Sequence, residues 1–260
     1  MKHLVLSDKI YNIPTKSQER EVFVRYLKYL NEKVKGFSKT SIQIKKLRKF
    51  DNRFEIEIDG PEELFVLNLL KKEIGSVHDF KDSEIGKIYK GTLIDVGKVG
   101  FGIFVDCAIL NPNVDVLLNL NVLRDQLCSG KKKSIKEIIK AYDLIDHFPV
   151  EVTITEVDTE KHQIQGRLSD SFLNLYYKIT SEKLEAIFLS GATKNQFKKA
   201  LIRRGHLRDI VSVERHGFLE NIAVLKEGTD APGIIAHIGK YLRNCKMSTI
   251  RYERIQKLLN

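Results

Sequence analysis

A glycine-rich segment between Gly86 and Asp106 places the strongest constraint on how this chain folds. Two short runs of β-forming residues flank a Gly-x-x-Gly-Phe-Gly hinge that begins at Gly97. Glycine inside a strand costs stability unless the sheet coils sharply or a ligand approaches the backbone closely. Both conditions occur in small five-stranded barrels that bind nucleic acids, so the segment predicts the first two strands of such a barrel.

Composition limits the class of protein. The 260 residues are 42% hydrophobic and 30% charged, which fits a soluble protein of two or three modest domains. The N-terminus lacks the apolar core of a signal peptide, and no apolar run approaches the roughly 20 residues that span a bilayer. We therefore expect a cytoplasmic protein without a membrane partner. Cys107, Cys128 and Cys245 are odd in number and widely separated, which argues against a disulfide framework and against a zinc site.

Charge is distributed unevenly along the chain. The net charge is +10 and the isoelectric point is about 9.3, which favours a polyanionic partner. Lys and Arg number 17, 12 and 15 in residues 1–82, 83–178 and 179–260, against 13, 13 and 8 Asp and Glu. The central segment is therefore nearly neutral, and the two flanks carry the positive surplus.

The two flanks show the same predicted order of elements. Apolar periodicity and cap residues predict β-α-β-β-α over residues 1–80 and again over residues 179–242. Residues 243–260 are predicted to form a basic amphipathic helical tail. With residues 81–178 as the barrel, the predicted fold class is α+β, with a central five-stranded barrel between two small β-α-β-β-α modules.

The central segment resembles the S1-type RNA-binding domain, a five-stranded OB-fold barrel, over residues 86–173. Four motifs in the family's order carry the resemblance: residues 86–93, residues 101–106, residues 116–123, and the closing pair 150–158 and 164–170. Residues 134–144 fit the short helix that closes the bottom of the barrel in that family. The resemblance implies binding of single-stranded or structured RNA, free or in a ribonucleoprotein such as the ribosome.

The resemblance also implies which residues contact RNA. The binding face of the family corresponds to Phe101, Phe104, Asn119 and Arg167, and Lys98 at the rim and Tyr89 on the first strand are further candidates. Asn119 stands where the family usually has an exposed histidine. Two stacking aromatics with few cations give modest affinity. Two alternatives stay open: one phenylalanine belongs to the core and the other covers a domain interface, or the barrel docks a protein instead of RNA.

The whole architecture, ending in the sequence GTDAPGIIAHIGKYL that begins at Gly228, resembles an archaeal family of uncharacterised proteins. This resemblance implies an archaeal cytoplasm and brings no activity with it.

Basic residues cluster in both flanks. The C-terminal cluster lies on and just after a predicted helix and consists of Lys194, Lys198, Lys199, Arg203, Arg204 and Arg208. The N-terminal cluster lies in a predicted hairpin and consists of Lys45, Lys46, Arg48, Lys49 and Arg53. If both clusters face the same side as Phe101, they form an electrostatic footprint for phosphates. If they do not, each is a solvated face.

The sequence offers no catalytic motif. His206 and His216 have no partner at a spacing that dictates chemistry, His216 falls at a predicted turn, and His237 falls within an apolar helix. We expect no enzymatic activity, no cofactor and no metal. The expected function is non-catalytic RNA binding; the alternative is a protein-interaction adaptor in translation, transcription or RNA processing. The oligomeric state stays open.

Overall fold

A computed structural model describes residues 1–12 and 16–260, with the backbone only for residues 16–18. The described chain divides into two compact units, Met1–His78 and Asp79–Asn260. No helix in these ranges is both long enough and apolar enough to cross a membrane.

The first unit is a three-stranded antiparallel sheet with two helices. Its elements are β1 (Lys2–Lys9), α1 (Lys16–Lys33), β2 (Ser41–Leu47), β3 (Arg53–Asp59) and α2 (Glu63–Glu73). β3 lies between β1 and β2. Its alternating pattern buries Phe54, Ile56 and Ile58 completely, as a strand covered on one face requires. The predicted β-α-β-β-α order is confirmed.

The second unit begins with a closed barrel. After the two-residue strand β4 (His78–Asp79), the elements are β5 (Ile88–Ile94), β6 (Gly102–Leu110), β7 (Val114–Asn119), α3 (Leu120–Cys128), α4 (Ile135–Tyr142), β8 (Pro149–Asp158) and β9 (Gln163–Leu168). β5 pairs with β6, β6 with β7, β7 with β9, β9 with β8, and β8 returns to β5. Only the β7–β9 pair among these five is parallel. This closed order is that of an OB-fold, and the predicted barrel is confirmed.

Glycines are required where strands of the barrel approach each other, as at Gly102 and Gly166. A Cβ on Gly102 would lie 2.4 Å from the carbonyl oxygen of Leu118 on the neighbouring strand. A Cβ on Gly166 would lie 2.5 Å from Cγ1 of Val152. Gly102 of the hinge and Gly166 of β9 therefore have a steric cause in the tight coiling of the sheet.

The C-terminal part of the second unit is a four-stranded antiparallel sheet with helices on both sides. Its elements are α5 (Asp170–Ser181), β10 (Glu185–Ser190), α6 (Lys194–Arg203), β11 (Ile210–Arg215), β12 (Glu220–Leu225), α7 (Ala231–Ile238), β13 (Lys246–Arg251) and α8 (Tyr252–Leu259). The strand order is β11-β12-β10-β13. The second predicted β-α-β-β-α order is present and is extended by one strand and one helix.

The predicted helical tail is wrong in its first half. Lys246–Arg251 is a strand, and all six of its residues pair with β10 in antiparallel register. The backbone N–H and the hydroxyl of Thr249 both donate to Asp143 Oδ2, at 2.7 and 3.0 Å. These long-range bonds favour the strand over the helix that the local sequence indicates. α8 follows and buries Ile255 and Leu258.

The barrel and the C-terminal sheet share one hydrophobic core, so the predicted boundary at residues 178 and 179 is also wrong. It falls inside α5, which buries Tyr176 and Ile179 between the two. The ring centroid of Phe148, the residue before β8, lies 4.4 Å from that of Phe188 in β10. The opposite face of the sheet, with Ile187, packs against α6 and α7. The sheet therefore lies between α6 and the barrel.

Candidate nucleic-acid interface

Two phenylalanine rings lie on the outside of the barrel, at the start of β6. Phe101 precedes the strand and is 55% exposed, and Phe104 is partly buried on the outer face of the strand. Their ring centroids are 6.1 Å apart and their planes are nearly perpendicular, at 89°. Ile94 and Leu117 are the register partners of Phe104 on the neighbouring strands. Neither ring belongs to the barrel core, so the alternative that places one of them there is wrong.

Asn119 is held by hydrogen bonds on both ends of its amide. It is the N-cap of α3: its Oδ1 accepts from the backbone N–H of Val122 at 3.0 Å. Its Nδ2 donates to Oε1 of Gln165 at 3.0 Å, and Gln165 Nε2 in turn donates to Glu156 Oε2 at 2.6 Å. The amide thus joins three strands of the barrel, and its main role in the structure is to position α3.

The two cations predicted on the barrel face each contact an acidic side chain. Arg167 Nη2 lies 3.1 Å from Asp170 Oδ1, and Lys98 Nζ lies 2.7 Å from Asp95 Oδ1. The hydrogen bond to Asp95 raises the pKa of Lys98 above its ordinary value. All four side chains are substantially exposed, so these pairs are weak. They nevertheless leave the barrel face with little excess positive charge.

Tyr89 does not belong to the binding face, and that prediction is wrong. Its side chain is only 3% exposed and forms part of the barrel core. The alternation of β5 explains the placement, because Ile88 and Lys90 on either side of Tyr89 point outward.

The six predicted C-terminal cations lie on and after α6, and five of them are exposed. Thr193 and Gln196 cap the helix, which buries Phe197 and Leu201 against the sheet and turns its basic side to solvent. Lys194 is partly buried; burial, with Lys198 and Arg215 nearby, lowers its pKa. The exposed set, here called the α6 surface, is Lys198, Lys199, Arg203, Arg204 and Arg208. It lies on the face of the sheet away from the barrel core.

The N-terminal cluster does not form a comparable surface. Four of its five cations have acidic partners: Lys45 with Glu57 at 2.6 Å, Lys46 with Glu55 at 3.2 Å, and both Arg48 and Arg53 with Asp51. Arg53 is also buried, with 3% exposure, and donates to the carbonyl of Ser7. The basic run of the sequence is therefore largely neutralised by the neighbouring strand and turn.

Two histidines that lack partners in the sequence have partners in the structure. His206 Nδ1 lies 2.9 Å from Asp209 Oδ2, and His206 Nε2 lies 2.9 Å from His237 Nδ1. The i,i+3 spacing of His206 and Asp209 is visible in the sequence, whereas no local pattern links either to His237, 31 residues further along. The sequence indicated no partner of His206 at a spacing that dictates chemistry, and the structure gives it two hydrogen-bond partners, Asp209 and His237. His216 lies in the turn between β11 and β12, and burial lowers its pKa.

Two family models match the second unit in succession. The DUF2110 central domain matches residues 83–180, which contain the barrel and most of α5. The DUF2110 C-terminal domain matches residues 184–250, from β10 into β13. Together the two matches take in more than half of the chain, in agreement with the predicted family resemblance. No curated protein is similar enough to this chain to count as a match.

Three solved structures resemble parts of the chain. The uncharacterized protein MJ1198 from Methanocaldococcus jannaschii is 22% identical, over 34% of this chain and 96% of that one, with a TM-score of 0.24. GSP13 from Bacillus subtilis is 22% identical, over 35% and 58%, with a TM-score of 0.25. The intact alpha subunit of aIF2 from Pyrococcus abyssi is 11% identical, over 66% and 98%, with a TM-score of 0.24. Because these TM-scores are low, the OB-fold assignment rests on the strand order and closure of the barrel.

Proposed function

We propose that this chain, which matches both the central and the C-terminal domain of DUF2110, is a non-catalytic RNA-binding protein that acts on RNA or on a ribonucleoprotein. The observation that carries this proposal is the pair Phe101 and Phe104, which presents an exposed ring on the outside of a closed OB-type barrel. Unstacked bases of single-stranded RNA bind on such rings, because every base has a π face.

The α6 surface supports the same proposal by supplying the charge that the barrel lacks. Within the described residues, neither Lys198 nor Lys199 has an acidic partner within ion-pair distance. Exposed cations of this kind neutralise phosphates and release counterions, and this contributes most of the sequence-independent affinity for nucleic acids. The barrel face therefore stacks bases, and the α6 surface contacts the backbone.

Replacing both rings tests the proposal. The double variant Phe101→Ala, Phe104→Ala is expected to bind single-stranded RNA at least about tenfold more weakly, since one stacked base contributes about 1–3 kcal/mol. Binding is measured by filter retention and folding by circular dichroism. Tyr177→Ala is the matched control, because Tyr177 is 72% exposed on α5 of the same unit. Unchanged RNA affinity in a folded double variant would contradict the assignment of the barrel face.

The alternative function is a protein-interaction adaptor that uses the barrel as a docking module. The ion pairs of Lys98 and Arg167 favour it, since they leave an apolar ring on a nearly neutral face. Salt separates the two functions. RNA binding weakens steeply as salt rises, whereas docking on an apolar surface changes little.

A further inference from the structure

A cluster of imidazole, phenol and cationic side chains lies where the end of α6 meets the end of α7. The histidine cluster, as we call it, consists of His206, Asp209, His237, Arg203, Lys240 and Tyr241. The two imidazole rings lie nearly parallel, at 16°, with centroids 5.1 Å apart. The guanidinium carbon of Arg203 lies 4.7 Å from the ring centroid of Tyr241, and Lys240 Nζ lies 5.2 Å from it.

The hydrogen bonds of the cluster determine the role of each ring nitrogen. The Asp209 carboxylate only accepts, so His206 Nδ1 donates to it. Nε2 of a neutral His206 then accepts from His237 Nδ1, which leaves the lone pair of His237 on Nε2. A proton added there makes Nε2 a donor and leaves the other bonds in place. The Asp209–His206 pair therefore fixes the orientation of the His237 ring, so that its outer nitrogen Nε2, when protonated, can donate to an anion.

Positive charge dominates the surroundings of Tyr241. Partial burial raises the pKa of the phenol, but Lys240, Arg203 and Arg204 together lower it below its ordinary value. The charged groups of the region are Asp209, which contacts His206, Arg208 beside Asp209, and Arg203, Arg204 and Lys240 around Tyr241. Asp209, the one acidic group among them, is already bonded to His206 and lies 3.8 Å from Arg208.

We propose that the histidine cluster binds a terminal phosphate, carried by the end of an RNA strand or by a free nucleotide. His237 Nε2–H, Arg203 and Lys240 donate to the phosphate oxygens. A terminal phosphate carries about 1.5 to 2 negative charges at neutral pH, against one for an internal phosphate, and so gains more from several cations at one place. Ile202 and Leu207, 56% and 50% exposed beside these cations, provide apolar contact for the adjoining nucleoside. The RNA form of this inference rests on the proposed RNA-binding function.

The test compares oligonucleotides that differ only at their ends. Full-length protein is titrated with one RNA sequence in three forms, with a 5′-phosphate, a 3′-phosphate or hydroxyls at both ends, and binding is measured by fluorescence anisotropy. A nucleoside monophosphate is tested as a competitor of the bound RNA in the same assay. The strand with a phosphate at one of its two ends, 5′ or 3′, is expected to bind about tenfold more tightly than the hydroxyl-ended strand. One additional charge-assisted hydrogen bond provides enough free energy of binding for this difference. His237→Gln and Lys240→Gln are expected to remove this preference. Lys257→Gln, an equal charge change on α8, is expected to keep it.

A second readout does not depend on RNA. Inorganic phosphate is titrated into the protein while the ring-proton NMR signals of the histidines are followed. We expect shifts for His206 and His237 and none for the exposed His3 and His162. These shifts together with no binding of any oligonucleotide would support the phosphate site and refute the RNA function. A monophosphate that binds as tightly as the phosphorylated strand would assign the site to free nucleotides.

Two results would overturn the proposal. The first is equal affinity of the unmodified protein for all three strands, with no phosphate-induced shift of His206 or His237. The second is a phosphate preference that persists in folded His237→Gln and Lys240→Gln variants, because the donors would then lie elsewhere.

Discussion

Two glycines of the same hinge, Gly100 and Gly102, have different surroundings. Gly102 lies directly opposite Asn119 in the β6–β7 ladder, and a Cβ there would contact the backbone of Leu118 and Asn119 as well as the side chain of Leu117. No atom lies within 4 Å of the corresponding position on Gly100. The hinge therefore contains one glycine that the barrel requires and one that leaves open space beside Phe101.

This difference predicts a difference in stability. Gly102→Ala is expected to lower the free energy of unfolding by about 1–3 kcal/mol, because the neighbouring strand must move to admit the methyl group. Gly100→Ala is the matched control and is expected to stay within about 0.5 kcal/mol. Urea denaturation measures both. Equal loss in the two variants would mean that the contact with Leu118 does not limit the packing of the barrel.

The sequence predicted the position of a side chain correctly where the alternation of a strand determines whether it faces inward or outward. It failed where the position or the partner depends on contacts with distant parts of the chain. Phe104 is on the outside of the barrel because it alternates with the buried Ile103 and Val105 of β6. Phe101 shares the parity of those buried residues and is exposed because it precedes the strand. Tyr89 was misplaced because the resemblance identified its strand without fixing which side of it faces inward. The acidic partners of Lys45 and Lys46 lie on the neighbouring strand, so the basic run alone could not reveal their neutralisation.

At the scale of elements, helices and hairpins were predictable because their signals are local. The caps Ser134 and Thr193 each form a capping box at the start of the helix that the sequence predicts. β13 has no such signal. Its partner, β10, lies about 60 residues earlier in the chain, and only that pairing makes Lys246–Arg251 a strand.

The C-terminal helix provides the element-scale prediction. Ile255 and Leu258 of α8 are buried in the core shared with the barrel. Ile255→Ala is expected to lower the free energy of unfolding by about 2–5 kcal/mol, because it removes buried apolar atoms and leaves a cavity in the core. The control is Gln256→Ala at the exposed neighbouring position. It is expected to change the free energy of unfolding by no more than about 0.5 kcal/mol. Equal, small effects in urea denaturation would instead indicate a mobile tail.

At the scale of the whole molecule, the structure separates basic residues that are free from those that are paired. Lys198 and Lys199 on α6 are exposed, whereas Lys45 and Lys46 on β2 are paired with Glu57 and Glu55. Charge counted along the sequence does not show this distinction, because both sites read there as two adjacent lysines.

The two doublets are therefore expected to differ in salt dependence. Lys198→Gln with Lys199→Gln should reduce the slope of log RNA affinity against log salt by about 1 to 1.5, the contribution of two phosphate contacts on a single strand. Lys45→Gln with Lys46→Gln should leave the slope unchanged. Anisotropy titrations across a series of salt concentrations measure both. A larger change from the β2 doublet would place the phosphate contacts on the first unit.

Under the proposed RNA-binding function, the continuous helix α5 determines how long a strand the second unit needs for full affinity. Because α5 contributes to the core that joins the barrel to the C-terminal sheet, no flexible linker separates the barrel face from the α6 surface. The distance between the barrel face and the α6 surface is therefore fixed by the fold. We therefore expect an RNA strand shorter than the path between the two surfaces to bind one surface at a time, and the affinity to rise abruptly once the strand reaches both.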